Sequence, residues 1–232
     1  LKALAQQVLS QTNPLDTITQ PAAAVNALVA SETLREFEND KVAFRHDVLR
    51  EWAIASFLFS NPDAIKTLPL NRSAPASLVR GIELTAQMML ERSTDAKAWQ
   101  TLLGDLSQAG SHGSWRRAAL IGLVRSEIIP EMLDRISPLL LDNGGQLLCE
   151  LIRTVMAVDV IPARKAYEAV GVDPSLIPES LNVPNRPSWY HLLIWLFKLG
   201  EALPAQAIPD VVKFYTAWST ALLGQDRFTP II

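Results

Sequence analysis

One cysteine, Cys149, is the whole thiol content of this 232-residue chain. A disulfide framework is therefore excluded, as are zinc sites built on paired cysteines, and a reducing, cytoplasmic setting is the expectation. The chain also lacks any Gly-Lys dipeptide, so it carries no G-x-x-x-x-G-K-[ST] phosphate loop. No acidic run after an apolar strand supplies the metal-holding partner of such a loop. This segment alone has no complete active site. Long apolar runs are missing too. The most apolar stretch, residues 189–199 (WYHLLIWLFKL), is too short to span a bilayer and contains His191 and Lys198. Positive charge is not in excess: 21 Lys and Arg stand against 24 Asp and Glu, for a net charge of −3. That balance removes the usual basis for binding a polyanion. No basic segment with a following cleavage site opens the chain.

What remains is a globular composition, 49% hydrophobic and only 19% charged, long enough to bury a sizeable core. The chain starts on Leu1, without Met, inside the helical pattern LKALAQQVLSQ. We read it as part of a longer polypeptide.

Three regions separate: residues 1–60, 61–112 and 113–232. In the first, apolar residues at 1, 4, 5, 8 and 9 follow the helical period, and Asn13-Pro14 ends the run. Pro21 opens a second helix whose face is Val25, Leu28 and Val29. Asn39-Asp40 is a turn signal between short extended pieces over residues 34–37 and 41–44. A third helix over residues 46–59 closes at Asn61-Pro62. Helix, helix, β-ribbon, helix is the content of a small N-terminal winged-helix domain. Residues 61–112 read as connecting helices over 75–92 and 95–106, the latter capped by Ser93 or Thr94. Residues 113–232 read as helix after helix, with a Gly144-Gly145 break and a Pro-rich connector, PSLIPESLNVPNRP. Helices joined by such short turns suit stacked pairs, so a HEAT-like α-solenoid is expected, an irregular bundle being the alternative. The fold class is thus mainly α.

A winged helix invites a DNA reading, and charge opposes it. In residues 1–60, Lys2, Arg35, Lys41, Arg45 and Arg50 face Asp16, Glu32, Glu36, Glu38, Asp40, Asp47 and Glu51, five against seven. Phosphate neutralisation supplies most non-specific affinity for DNA. The would-be recognition helix, PAAAVNALVAS, offers only Asn26 for base readout. No nucleic-acid partner is expected; the apolar helix is better suited to another protein surface.

The stretch VAFRHDVLREWAIA, residues 42–55, resembles the end of the nucleotide-binding module in STAND ATPases, the P-loop signalling switches of the NACHT and NB-ARC type. There the winged helix ends in a strand followed by His. The plant branch has Met-His-Asp; the bacterial and NACHT branches are closer to Phe-x-His and a helix bearing Arg-Glu and an aromatic. Phe44, His46, Asp47, Arg50, Glu51 and Trp52 carry the likeness. Arg45 stands at the plant Met position. The likeness covers roughly the first 60 residues. It implies that His46 contacts the β-phosphate of ADP held by an ATPase domain ahead of Leu1, keeping the switch closed until ATP replaces ADP. An imidazole can donate to a phosphate oxygen, and a helix start favours an anion. Asp47 would cap its helix or pair with a nearby Arg, since anion repels anion. The resemblance further implies a protein trigger recognised on the helical surface, and a role in signal transduction such as antiviral defence. Without it, His46 reads as an ordinary structural histidine. The rivals are a helical-repeat interaction scaffold with no nucleotide link and a winged-helix transcription regulator.

Other chemistry-bearing residues read as structural. His46, His112 and His191 have no metal-ligand spacing. Cys149 sits among apolar residues and reads as inert. Asp134 and Glu131 read as solvated. The aromatics Trp189, Tyr190, Trp195, Phe197, Phe214, Tyr215 and Trp218 crowd the last two helices. Each singly reads as core; an exposed subset would be a recognition surface.

Overall fold

The computed structural model describes residues 1–10, 14–93, 95–168 and 171–221, with the side chain of Arg186 left out. It is mainly helical, with small sheets. Two compact units divide it, Leu1–Gly122 and Leu123–Ile232.

The first unit begins with α1 (Lys2–Leu9), a two-residue strand β1 (Leu15–Asp16) and α2 (Ala22–Ala30). The hairpin β2 (Leu34–Phe37) and β3 (Lys41–Phe44) follows, then the long helix α3 (Asp47–Ser60). Strand β3 lies between β1 and β2, antiparallel to both, with Leu15 opposite Val42 and Leu34 opposite Phe44. The hairpin occupies the residues expected for it, and its turn uses positive φ at Asn39 and Asp40, which Asn and Asp tolerate best among non-glycine residues. The short strand β1 is a finding the sequence did not announce, because two residues carry no readable alternation. Leu4, Leu15, Leu34 and Val42 form a closed apolar cluster, with Val8, Val25, Leu28, Val29 and Phe44 packed against it. Helix α2 buries no residue completely. Its expected face, Val25, Leu28 and Val29, does point into that cluster.

Residues 61–112 belong to the same unit. Helix α4 (Ala76–Glu91) is buried over nearly its whole second half and packs along α3, while α5 (Lys97–Asp105) follows against it. Gly81 makes the α3–α4 approach possible: a Cβ there would stand 2.6 Å from Ile54 Cγ2. Helix α6 (Gly113–Val124) crosses α4 equally closely at Gly122, where a Cβ would lie 2.5 Å from the Glu83 carbonyl oxygen. At the start of α6, His112 Nδ1 lies 2.9 Å from Ser114 Oγ, and Ser114 Oγ accepts the Ala74 N–H at 2.8 Å. The expected caps at Thr94 and the helix end at residues 11–13 lie outside the described residues.

The second unit holds α7 (Ile129–Leu141), α8 (Gln146–Val158), α9 (Ala163–Glu168), α10 (Arg186–Leu199) and α11 (Ile208–Ala221). Between α7 and α8, Asn143, Gly144 and Gly145 all have positive φ. That conformation explains the Gly pair, and the turn is tight: a Cβ on Gly144 would collide with the side-chain amide of Gln206. The Pro-rich connector contains a strand that was not expected. β4 (Val160–Pro162) pairs antiparallel with β5 (Asn182–Pro184), Ile161 facing Val183. Proline is compatible with a two-stranded ribbon because one edge of each strand needs no donor. Ala163, Ile177 and Val183 form a small core beneath it. Helices α10 and α11 meet through Trp189, whose ring stacks on Phe214 at 4.4 Å and lies 6.5 Å from Trp218. The expected continuation of the last helix past Ala221 falls outside the described residues.

Candidate functional site

His46 sits where β3 hands over to α3. The Arg45 N–H donates to the Thr33 carbonyl at 3.1 Å, so the chain stays extended one residue beyond the strand. His46 itself is extended, at φ −131° and ψ 143°, and its carbonyl accepts the N–H groups of Leu49 and Arg50 at 3.1 and 3.3 Å. It is therefore the N-cap residue by backbone, yet no side chain caps the helix. The free N–H groups of the first turn point outward there. The imidazole is exposed and makes no hydrogen bond to the described residues.

Charged neighbours frame it. Asp47, in the first turn, pairs with Arg50 at 3.0 Å, one of the two roles expected for it. Arg45 pairs with Glu32 at 3.3 Å. Both are surface pairs, worth at most about 1 kcal/mol each. Arg50 Nε is buried with no hydrogen-bond partner among the described residues, so the guanidinium is only partly engaged there. On the first and second turns of α3, Val48 and Trp52 are 59% and 50% exposed. They stand one above the other at i and i+4. Trp52 is the exception among the six tryptophans; Trp99, Trp115, Trp189, Trp195 and Trp218 are all buried.

The other sequence candidates do not converge on His46. His112 is exposed and engaged with Ser114, and His191 is half-buried with its ring 5.9 Å from that of Tyr190. Glu131 and Asp134 are exposed. Among the described residues no three His, Cys, Asp or Glu side chains gather as a metal site would need. No described helix is long and apolar enough to cross a membrane.

Cys149 is buried, and its thiol is pushed up first by burial and then by the neighbouring Asp210. A raised thiol is a poor nucleophile at neutral pH. Asp210 is buried and accepts from Arg153 at 2.6 Å. The Arg153 hydrogen bond holds its carboxyl below the usual carboxylate range, against the opposing effect of burial. A carboxyl depressed in the folded state contributes stability that is present above its ordinary titration and lost as pH falls through it. We expect the urea midpoint to be flat from neutral pH down to about 5 and to fall below about 4. Asp210→Asn should shrink that acid-side fall; an unchanged profile would show that other carboxylates carry it.

One polar cluster had no sequence signal. Asp159, at the end of α8, is fully buried. Its Oδ1 accepts from Arg125 Nε and Nη2, both at 3.2 Å, and from Asn185 Nδ2 at 3.1 Å. Its backbone carbonyl accepts from Trp189 Nε1 at 2.8 Å and from the Asn185 N–H at 3.1 Å. Oδ2 has no partner among the described residues. Residues 34 and 26 positions apart meet here, a separation no local pattern reveals.

No protein-family model matches the chain, and no curated protein matches it either.

Proposed function

We propose that this chain is the regulatory and sensor part of a STAND-type signalling ATPase. In this reading residues 1–60 form its winged helix, and the helices beyond form a HEAT-like sensor surface. One observation carries it: the His46 imidazole is exposed and unengaged at a strand-to-helix junction, with the exposed Val48 and Trp52 on the turns that follow. A structural histidine at such a junction usually caps or packs, and this one does neither with the described residues. The order helix, strand, helix, hairpin, helix through residue 60 supports the winged-helix assignment.

The residues fit a diphosphate. The imidazole can donate, the first-turn N–H groups have no side-chain cap, and the helix dipole favours an anion there. Asp47 is the unfavourable group, and its pairing with Arg50 offsets that charge. ADP, held by an ATPase domain preceding Leu1, would supply the negative charge that this end of α3 attracts. His46 would then hold the winged helix closed, and the apolar Val48 and Trp52 would seat against that domain. ATP in place of ADP would release the contact and let a trigger bound on the helical surface be reported.

The test uses the intact polypeptide that carries this chain. His46→Ala is expected to weaken ADP retention about tenfold or more, with the unfolding midpoint unchanged because the side chain makes no internal bond. Unchanged ADP retention, or a preceding sequence without a P-loop, would return the chain to a helical interaction scaffold.

A further inference from the structure

The chain leaves α8 at Asp159 and returns to α10 at Asn185, and the excursion between them is closed at its base. The Asn185 N–H donates to the Asp159 carbonyl at 3.1 Å, and Asn185 Nδ2 donates to Asp159 Oδ1 at 3.1 Å. Trp189 Nε1 donates to the same carbonyl at 2.8 Å. Asp159 and Trp189 are buried, so the base sits in the core of its unit. Beyond it the antiparallel pairing runs Val160 to Pro184, Ile161 to Val183 and Pro162 to Asn182. It ends where the Ala163 N–H donates to the Leu181 carbonyl at 2.9 Å.

What holds the excursion together is thin. Pro162 and Pro184 bring no N–H to the ladder. A two-stranded ribbon is marginal by itself, and α9 has six residues, too few for a helix to persist alone. The core is Ala163, Ile177 and Val183, with Ile161, Ala166 and Tyr167 half-buried around it. Arg164 joins its two sides, Nε donating to the Ile177 carbonyl at 2.7 Å and Nη1 to Glu179 Oε1 at 2.7 Å. Leu176 and Leu181 stay exposed. Among the described residues one hydrogen bond leads from the excursion, beyond its base, to another element. Tyr167 Oη donates to the Ala221 carbonyl of α11 at 3.1 Å, and Ala221 packs against the small core. The helices around the base differ in kind: Leu148, Leu151, Ile152, Val155, Leu192 and Phe214 are all fully buried.

We propose that residues 160–184 act as a flap, hinged at Asp159 and Asn185 and latched to α11 by Tyr167, which opens as one cooperative unit while α7, α8, α10 and α11 stay folded. The free energy of opening a segment follows the buried apolar contact it gives up, and the flap gives up far less than the helices beneath its base. The Tyr167 hydrogen bond and the Ala221 contact exist only in the closed state, so they set the balance. Whatever draws the Ala221 end of α11 away from Tyr167 shifts the flap toward open. Whatever grips the closed flap fixes that end of α11 by the same coupling. The device needs no nucleotide and stands apart from the His46 reading.

Native-state hydrogen exchange, read by NMR on the full chain in rising but sub-denaturing urea, tests it. The Val172 N–H donates to the Tyr167 carbonyl at 3.1 Å, and with the Ala163 N–H it reports on the flap. These two amides are expected to share one opening constant with a weak urea dependence. The Asn185 amide and the interior amides of α10 should exchange about a hundredfold more slowly, with the steep urea dependence of whole-unit unfolding. Tyr167→Phe keeps the ring and removes the latch, so Ala163 and Val172 should exchange about fivefold faster, the effect of one neutral hydrogen bond. Ile136→Val trims a buried position of α7 and leaves the flap alone; it should speed Asn185 severalfold and leave Ala163 unchanged. Four results overturn the proposal: Ala163 exchanging at the Asn185 rate, Ala163 and Val172 exchanging at unrelated rates, Ile136→Val moving Ala163 as much as Asn185, or Tyr167→Phe leaving Ala163 unmoved. His46→Ala should change none of these rates, which keeps this test separate from that of ADP retention.

Discussion

Replacing Asp159 by alanine is expected to destabilise the second unit by about 3–5 kcal/mol, the usual consequence of removing one member of a buried ion pair. The carboxylate is fully buried, and Arg125, with 31% of its side chain exposed, would lose the two contacts at 3.2 Å that its guanidinium makes to Oδ1. Asn185 Nδ2 would lose its acceptor in the same step. The cost is dominated by what is left behind. Oδ2 already has no partner among the described residues, so the arrangement they make is itself not fully compensated. It follows that Asp159→Leu combined with Arg125→Met should recover much of the loss, since an apolar pair of similar volume is often as stable as a buried ion pair. Urea unfolding of the single and double variants measures this. A loss under about 1 kcal/mol for Asp159→Ala would show that the carboxylate is reached by water, contrary to its burial.

Asp159 also marks where local reading stops. The hairpin over residues 34–44 was legible because turn residues and short extended pieces are adjacent in the chain. Helix α3 was legible because its apolar positions, Ala53, Ile54, Phe57 and Leu58, recur at the helical period. His46 was singled out differently, through the family resemblance carried by its sequence neighbours Phe44, Asp47, Arg50, Glu51 and Trp52. That its imidazole is unengaged could not be read, because engagement depends on what folds back on it. Strand β4 pairs with a segment about twenty residues on, through residues that look like connector. The Pro-rich composition that suggested a linker is compatible with a ribbon edge, and only the pairing decides between them. The Asp159 cluster depends on Arg125, the end of α8 and the start of α10 arriving together. Aromatic crowding in the last two helices was visible, but which rings face out was not. Tyr190 and Phe197 share a helix with Trp189 and Trp195 and differ from them only in the side they occupy.

Trp189 is the residue through which that cluster reaches the apolar core, and its truncation should be about as damaging as loss of Asp159. The ring is 2% exposed, stacked on Phe214 and near Trp218. Trp189→Ala removes a large buried side chain and leaves a cavity that two rigid neighbouring rings fill poorly, so a loss of about 3–5 kcal/mol is expected. Trp189→Phe separates packing from hydrogen bonding. It keeps most of the stacking and deletes the Nε1–H donor to the Asp159 carbonyl. That carbonyl retains the Asn185 N–H at 3.1 Å and is not orphaned. The phenylalanine variant should therefore lose only about 1–2 kcal/mol, from the smaller ring and one neutral hydrogen bond. Calorimetry or urea unfolding of the two variants distinguishes the contributions. If Phe were as destabilising as Ala, the hydrogen bond to Asp159, and not the stack on Phe214, would be what fixes α10 to the rest of its unit.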